Sequence, residues 1–267
     1  MTTSTLSRAR WSPFERYRRS LWLLTSRDLK VRYTTSFLGY VWSVLDPLLM
    51  AGIYFFVFVL IFNRHVPGQS PYIVFLVSGL LPWTWFNGSI SDATRAFTSE
   101  GKLIRSTTIP RTIWIGRIVL SKGIEFLLSI PVLIAFAVLF HAPVHWEAAL
   151  WIPAIILQAA LTFGLGLIIA PLVVFFRDLE RAVKLILRLL FYASPIIYGL
   201  TDLKKLHLEF WGAFNPLTGI IGLYRSAFFP QDLNWFAVAV SAGMTALIVV
   251  AGVLVFRRTI RTVLKEI

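Results

Sequence analysis

Apolar stretches alternate with short basic segments along this chain of 267 residues. A helix crosses a hydrocarbon core of roughly 30 Å with about 20 apolar residues, because each residue adds about 1.5 Å. Five apolar stretches are candidates for such helices: 40–62, 72–97, 126–140, 148–176 and 233–256. A sixth stretch, 189–201, is free of charge but short, and it contains Pro195. The pattern therefore predicts an all-α integral membrane protein with six transmembrane helices, of which the fifth is interrupted.

The positive charge of the chain is concentrated in four of the segments that separate these stretches. Of the 26 Lys and Arg residues, 22 lie in 1–39, 95–122, 177–188 and 257–265. Short cationic segments resist translocation, so all four are expected on the cytoplasmic side, with both termini inside. The net charge of +13 would suit a nucleic-acid-binding protein. A hydrophobic content of 57% and a mean hydropathy of +0.73 exclude a soluble basic domain, so topology explains the charge and no nucleic-acid partner is expected.

The same pattern divides the chain into three parts. These are an N-terminal cytoplasmic tail at 1–39, a six-helix transmembrane domain at 40–256 and a C-terminal cytoplasmic tail at 257–267. The first apolar stretch begins too late and is too long for a cleaved signal peptide. We therefore expect a multi-pass protein that stays in the inner or plasma membrane.

The N-terminal tail has a helical pattern of its own. Residues 12–15, Ser-Pro-Phe-Glu, fit a capping box with proline at the first helical position. Apolar residues then recur at spacings of three and four among many basic ones. The pattern predicts an amphipathic helix from Phe14 to about Tyr33 that lies in the membrane interface. Two roles are open for this helix: it only anchors the chain to anionic lipid, or it additionally contacts a cytoplasmic partner. The residues of its apolar stripe are Phe14, Tyr17, Leu21 and Leu24.

Polar side chains surround most of the second stretch from Pro82 onward, where only a narrow apolar stripe remains. Such a helix cannot face lipid, because each unpaired polar group there costs several kcal/mol. It must face either a water-filled cavity or neighbouring helices. In the first turns of the third span, before its apolar part, Arg117, Lys122 and Glu125 share one helical face near the cytoplasmic end, which favours a structural salt bridge over a proton path. Only Asp46 approaches the midplane position that a proton path would require.

The segment before the last span predicts a broken helix. Pro195 and Pro216 lie in uncharged runs, 189–201 and 210–224, that are too short to span comfortably. Two external re-entrant half-helices fit these runs better, since irregular backbone at membrane depth is tolerated only against protein or a cavity. A plain fifth helix followed by an external loop is the alternative.

Several kinds of chemistry are absent from the sequence. The chain contains no cysteine and no G-x-x-x-x-G-K-[ST] loop, so it offers neither thiolate chemistry nor a P-loop for nucleotide phosphates. All four histidines fall in predicted external loops and are expected to be solvated, and no metal site is predicted. A membrane-embedded transferase would need paired acidic residues or a His-Asp pair near the surface. Asp178 and Glu180 are the available candidates, with no histidine on their side.

Six short motifs occur in order between about residues 14 and 257. They are 27–33 (Arg-Asp-Leu-Lys-Val-Arg-Tyr) with 38–42 and 46–49, 79–86 (Gly-Leu-Leu-Pro-Trp-Thr-Trp-Phe), 109–111 (Ile-Pro-Arg), 175–178 (Phe-Phe-Arg-Asp), 194–198 (Ser-Pro-Ile-Ile-Tyr) and 215–217 (Asn-Pro-Leu). Together they resemble the permease subunits of polysaccharide ABC exporters, the type that exports O-antigen, teichoic acid or galactan. Asp46 departs from that pattern, since the family more usually has asparagine before the proline.

The resemblance implies one half of a bacterial plasma-membrane transporter. Two copies of the permease pair with two copies of a separate ATPase, which binds ATP and Mg, and move an undecaprenyl-type lipid-linked polysaccharide outward. The lack of a P-loop agrees, since the chain itself then needs no cofactor. The overall character of the chain resembles exporters of cell-wall galactan most, with O-antigen as the second choice. A lipid or sugar transferase and an uncoupled channel or scaffold are the alternatives.

Two groups of residues are candidates for this transport. The loop 99–111 carries an apolar pair between charges, which suits a small helix that docks into a cleft of the ATPase. The expected coupling residues are Glu100, Lys102, Leu103, Ile104, Arg105 and Arg111, with Arg177 and Asp178 as a second contact. Aromatic planes and neutral polar groups suit a conduit for sugar rings, because many weak contacts permit sliding. The expected path residues are Trp83, Asn87, Ser91, Tyr40, Trp42 and Tyr198, and the re-entrant breakers are Pro195 and Pro216.

Overall fold

The computed structural model describes residues 12–34, 41–61, 71–204 and 207–266, and every regular element in these ranges is helical. A π-helical segment, Phe56–Ile61, continues α2, and a 3₁₀ turn, Trp146–Leu150, leads into α6. The α-helices are α1 Pro13–Thr34, α2 Val41–Phe55, α3 Tyr72–Ala93, α4 Gly101–Ser106, α5 Ile113–Leu139, α6 Trp151–Phe175, α7 Leu179–Ala193, α8 Leu200–Lys204, α9 Glu209–Ala213, α10 Pro216–Arg225 and α11 Trp235–Glu266.

Four helical segments in the described ranges are long and apolar enough to cross a membrane: Tyr72–Ala93, Ile113–Leu139, Trp146–Phe175 and Trp235–Glu266. They correspond to the second, third, fourth and sixth predicted spans. The first predicted span contains α2 and its π-helical continuation. The fifth predicted stretch, 189–201, covers only the last five residues of α7 and then residues 194–199, which are not helical; α7 itself has 15 residues, about 22 Å of helix. The total of six spans stays a prediction.

Helix α3 lies at the centre of the bundle. Its residues from Tyr72 to Trp83 are all buried, and it packs against α5, α6, α10 and α2. The expectation that this helix does not face lipid is confirmed. Ser78 and Thr84 donate their hydroxyls to carbonyls of the preceding turn, while Asn87 and Ser91 in the polar part of the helix are half-buried.

The four basic segments meet at one end of the bundle, here called the basic end. A buried apolar cluster forms there between the 94–112 segment, α5, α6 and α11, and Leu24 of α1 packs against it. Phe256 and Val263 of α11 belong to this cluster, so the helix continues through the segment that the sequence assigned to a C-terminal tail. Likewise α5 begins at Ile113, 13 residues before its uncharged part, because its charged first turns pair with other helices rather than stay in a loop.

The tightest helix pair is α6 with α11. A Cβ on Gly164 would stand 3.0 Å from the backbone of Val249, and a Cβ on Gly252 would meet the carbonyl oxygen of Gly164. The two backbones therefore touch directly, as small residues permit in membrane helices.

Candidate functional site

Helix α1 begins at the predicted capping box. The backbone N–H of Glu15 donates to Ser12 Oγ at 3.1 Å, and the N–H of Ser12 donates to Glu15 Oε2 at 2.8 Å. The bond from the Ser12 backbone lowers the pKa of Glu15. The predicted helix, Phe14 to about Tyr33, is confirmed as Pro13–Thr34.

The apolar stripe of α1 faces the chain's own helices. Tyr17 Oη lies 3.5 Å from Thr112 Oγ1, Leu21 contacts Gly116, and Leu24 packs on the basic-end cluster. These three side chains are half-buried against the chain's own helices, and the position of α1 in the membrane interface stays a prediction. Periodicity identified an apolar face but could not identify what covers it. The apolar side chains that α1 leaves exposed are Phe14, Trp22, Leu23 and Val31.

Four charged side chains form a closed ionic ring that joins α1, α5 and the start of α4. Arg117 Nη1 donates to Asp28 at 2.7 Å, and Arg117 Nη2 lies 3.1 Å from Glu100. Arg27 Nη2 donates to Glu100 at 2.6 Å and to Asp28 at 3.4 Å. Burial acts to raise the pKa of Glu100, but the hydrogen bonds and charges of the two arginines outweigh it and leave that pKa below its usual range. The ring links the helix that carries the capping box to the loop that was expected to dock the ATPase.

A second set of ion pairs extends this connection. Arg32 donates to Glu125 at 2.9 Å and to Asp92 at 3.0 Å, while Lys122 Nζ donates to Glu125 at 3.0 Å. The structural pairing predicted for Lys122 and Glu125 is confirmed. Arg117 pairs with the ionic ring instead of Glu125, although it shares their helical face.

The loop 99–111 contains a small helix, α4, at the expected place. Lys102 and Arg105 are exposed and Leu103 is half-buried, whereas Ile104 is fully buried in the basic-end cluster. The expectation that Ile104 is offered to a partner is therefore corrected, because this side chain completes the chain's own core. Arg111 donates to the carbonyls of Thr107 and Ile109 at 2.8 and 3.1 Å and thereby closes the loop.

The second candidate contact, Arg177 and Asp178, lies exposed at the turn before α7. This turn is tied to the first loop, since Arg95 Nη2 donates to Glu180 at 2.6 Å and Lys184 donates to the same carboxylate at 2.7 Å. The two cations hold the pKa of Glu180 at about 2. The residue pair Arg95–Glu180 thus connects the chain just before the loop 99–111 with the first turn of α7, just after Arg177 and Asp178.

The expected path residues are only partly assembled in this chain. Trp83 is buried at 7% exposure and meets the Phe191 ring edge-on at 5.5 Å, so it presents no free aromatic plane. Asn87, Ser91 and Tyr198 are half-buried, and Trp42 is exposed. Tyr40 lies outside the described residues.

The two proline motifs before the last span are joined directly. Asn215 caps α10 by accepting from the Leu217 N–H at 3.0 Å, and its amide donates to Ser194 Oγ at 2.8 Å and to the Ala193 carbonyl at 3.3 Å. Tyr72 of α3 donates to the Ile197 carbonyl at 2.7 Å. The chain around Pro195 is therefore held from two sides. Irregular backbone satisfied by protein is what the sequence required of this segment.

Comparison with known proteins agrees with this arrangement. Residues 19–229 match the ABC-2 type transporter family. The chain is 36% identical over 237 residues, 88% of its length and 90% of the relative's, to the O-antigen export system permease protein RfbA of Klebsiella pneumoniae. It is 29% identical to the protein of the same name from Myxococcus xanthus, over 81% of this chain and 83% of that one. It is 24% identical to the polysialic acid transport protein KpsM of Escherichia coli, over 84% and 86%. The motifs, the helical bundle and the match over most of its length place this chain in the ABC-2 type transporter family of membrane proteins.

Proposed function

We propose that this chain is the transmembrane subunit of an ATP-driven exporter that moves lipid-linked polysaccharide outward across the bacterial plasma membrane. The observation that carries the proposal is the similarity, over nearly the whole chain, to permeases named for O-antigen export. Of the two polymers suggested by the sequence, those names favour an O-antigen type of glycan over galactan.

The basic end is proposed to face the cytoplasm and to dock a separate ATPase that binds ATP and Mg. In α4 the exposed Lys102 and Arg105 flank the half-buried Leu103, which gives an apolar contact beside two cations, and the exposed Arg177 is proposed as a second contact. The ionic ring ties this surface to α1 and α5. A movement of the docked ATPase would then be transmitted to α1 and α5 through the ion pairs of the ionic ring.

A second copy of the chain is proposed to pack against α2 and α7. Helix α7 is strongly amphipathic, and its apolar residues Leu185, Ile186, Leu189 and Tyr192 are exposed. Tyr54 of α2 stacks on Phe191 of α7 at 5.7 Å, so the two helices form one continuous surface. A polymer path between two copies would be bordered by Trp42, Tyr198 and the half-buried Asn87 and Ser91, with Trp83 supporting them from behind.

The test begins with depletion of the chain in its host and isolation of its complex. We expect lipid-linked polysaccharide to accumulate inside the cell, surface polysaccharide to fall, and an ATPase to copurify with the chain. Replacement of the P-loop lysine of that ATPase should reproduce the depletion phenotype. Normal surface polysaccharide after depletion would contradict the proposal.

The path is tested separately by Asn87→Ala together with Ser91→Ala. Polymer delivery should fall while the ATPase still copurifies. Thr262→Ala, at an exposed residue of α11 outside the proposed path and docking residues, is the control. Undiminished delivery by the double variant would remove this face of α3 from the path.

A further inference from the structure

Arg225, the last residue of α10, makes an unusual set of contacts in the interior. It is 3% exposed, and all four of its described hydrogen bonds go to backbone carbonyls. Nη1 donates to Pro195 at 2.6 Å and to Tyr198 at 3.2 Å, and Nη2 donates to Ile196. Nε donates to Phe75 of α3 at 3.3 Å. One side chain thus connects α10, α3 and the turn at 194–198.

With these bonds, each carbonyl from 193 to 198 is satisfied within the protein. Arg225 takes three of them, and the amide of Asn215, the hydroxyl of Tyr72 and the Ile196 N–H take the remaining three. Carbonyls freed where a helix breaks need such partners when water is excluded. The turn is therefore a fixed structure with defined donors rather than a freely moving loop.

The surroundings of the guanidinium are shaped to hold it in this position. Its carbon lies 3.5 Å from the centre of the Phe75 ring, which supplies a cation–π contact. One helical turn further along α3, a Cβ on residue 79 would stand 2.7 Å from Nη2, so only glycine leaves the necessary space. The planar guanidinium of an arginine carries several N–H donors that can bond several carbonyls at once. A lysine ammonium is a single compact group and cannot reach all of these carbonyls.

We propose that Arg225 is the positioning residue that holds the 194–198 turn as the outer closure of the transport path. The inference rests on the proposed function. The turn directly follows α7, whose exposed Leu189 and Tyr192 are proposed to face the second copy, so the turn lies at the border of the path. The hydrogen bonds from Arg225 keep the turn closed over the path between transport events. For a polymer to pass, these hydrogen bonds must break at the same time.

The test uses the full complex of this chain with its ATPase in proteoliposomes. Because the chain contains no cysteine, Tyr198→Cys provides a single thiol for labelling from outside with a membrane-impermeant maleimide. Arg225→Lys keeps the positive charge but removes the planar guanidinium and most of its N–H donors. Gly79→Ala keeps Arg225 and displaces it. Gly243→Ala, which has nothing within 4 Å of the added Cβ, is the matched control.

We expect Arg225→Lys and Gly79→Ala each to raise the maleimide labelling rate about tenfold, the factor that corresponds to about 1.4 kcal/mol. Leakage of a small polar dye should rise in parallel, while ATPase copurification and ATP hydrolysis stay near wild type. Labelling and leakage at the level of Gly243→Ala in an assembled Gly79→Ala complex would overturn the inference. If the complex with Arg225→Lys does not assemble, the labelling and leakage of the Gly79→Ala complex test the inference. A wild-type complex without ATP-dependent export would instead refute the proposed function.

Discussion

Replacing Gly252 with alanine should destabilise the bundle, because α6 and α11 touch through their backbones at this residue. The added Cβ would meet the carbonyl oxygen of Gly164. That atom belongs to the helix backbone and cannot rotate away as a side chain can. Since non-bonded heavy atoms settle about 3.5 Å apart, the two helices must separate locally by about 1 Å.

Two opposing effects set the size of the change. Forcing extra volume into a packed contact costs about 1–3 kcal/mol. Alanine in place of a helical glycine returns about 0.5–1 kcal/mol, because it restricts the unfolded chain. The difference is a net loss of about 0–2.5 kcal/mol, and its midpoint, about 1.3 kcal/mol, lowers the Tm of a protein of this size by about 3–5 °C.

The ten tryptophans allow the Tm to be followed by intrinsic fluorescence as the purified protein is heated in detergent. Gly243→Ala makes the same substitution in the same helix with no neighbouring atom within 4 Å, and it should keep or slightly raise the Tm. Equal Tm values for the two variants would show that direct backbone contact does not limit the approach of α6 and α11.

Three further predictions concern the basic end. Arg117→Leu leaves two partly buried carboxylates with one guanidinium, so it should lower the free energy of unfolding by about 2–4 kcal/mol. Arg105→Leu, at an exposed residue, is the control, and equal Tm values for the two variants would exclude a stabilising role for the ionic ring. Leu103→Asp should weaken copurification of the ATPase. It should not lower the Tm by more than about 2 °C, which corresponds to about 1 kcal/mol for a protein of this size. Full copurification would show that Leu103 is not part of the docking surface. Spin labels on single cysteines should report lipid or head groups at Trp22 and protein contact at Leu21, and the reverse result would contradict the orientation of α1.

Local patterns predicted the elements better than they predicted the contacts. The capping box at 12–15 set the start of α1, because its bonds join residues three apart in the chain. The pairing of Lys122 with Glu125 followed from helical spacing for the same reason. Contacts between Asp28 and Arg117, 89 residues apart, depend on how helices pack, and no pattern along the chain encodes that.

What covers an apolar side chain was harder to predict, for a related reason. Ile104 was expected to face a partner but is buried in the chain's own core, and Leu21 lies half-buried beside Gly116 of α5. Lipid, a partner and the protein core are all apolar, so composition does not distinguish them. The motifs around Pro195 and Pro216 contact each other, while their external re-entrant arrangement stays a prediction. The donor that holds the first motif, Arg225, carries no local signal of its role in the sequence.

Helix α11 is a single rod of 32 residues, about 48 Å long, with its contact to α6 near the middle. Gly252 is 14 residues from the end at Glu266 and 17 from the start at Trp235, so the two arms measure about 21 and 25 Å. A tilt of about 5° around that contact shifts each end by about 2 Å, in opposite directions. If the rod tilts as a unit around that contact, a displacement of the Glu266 end appears with similar size at the Trp235 end, where Ala237 and Ser241 pack against Gly219 of α10.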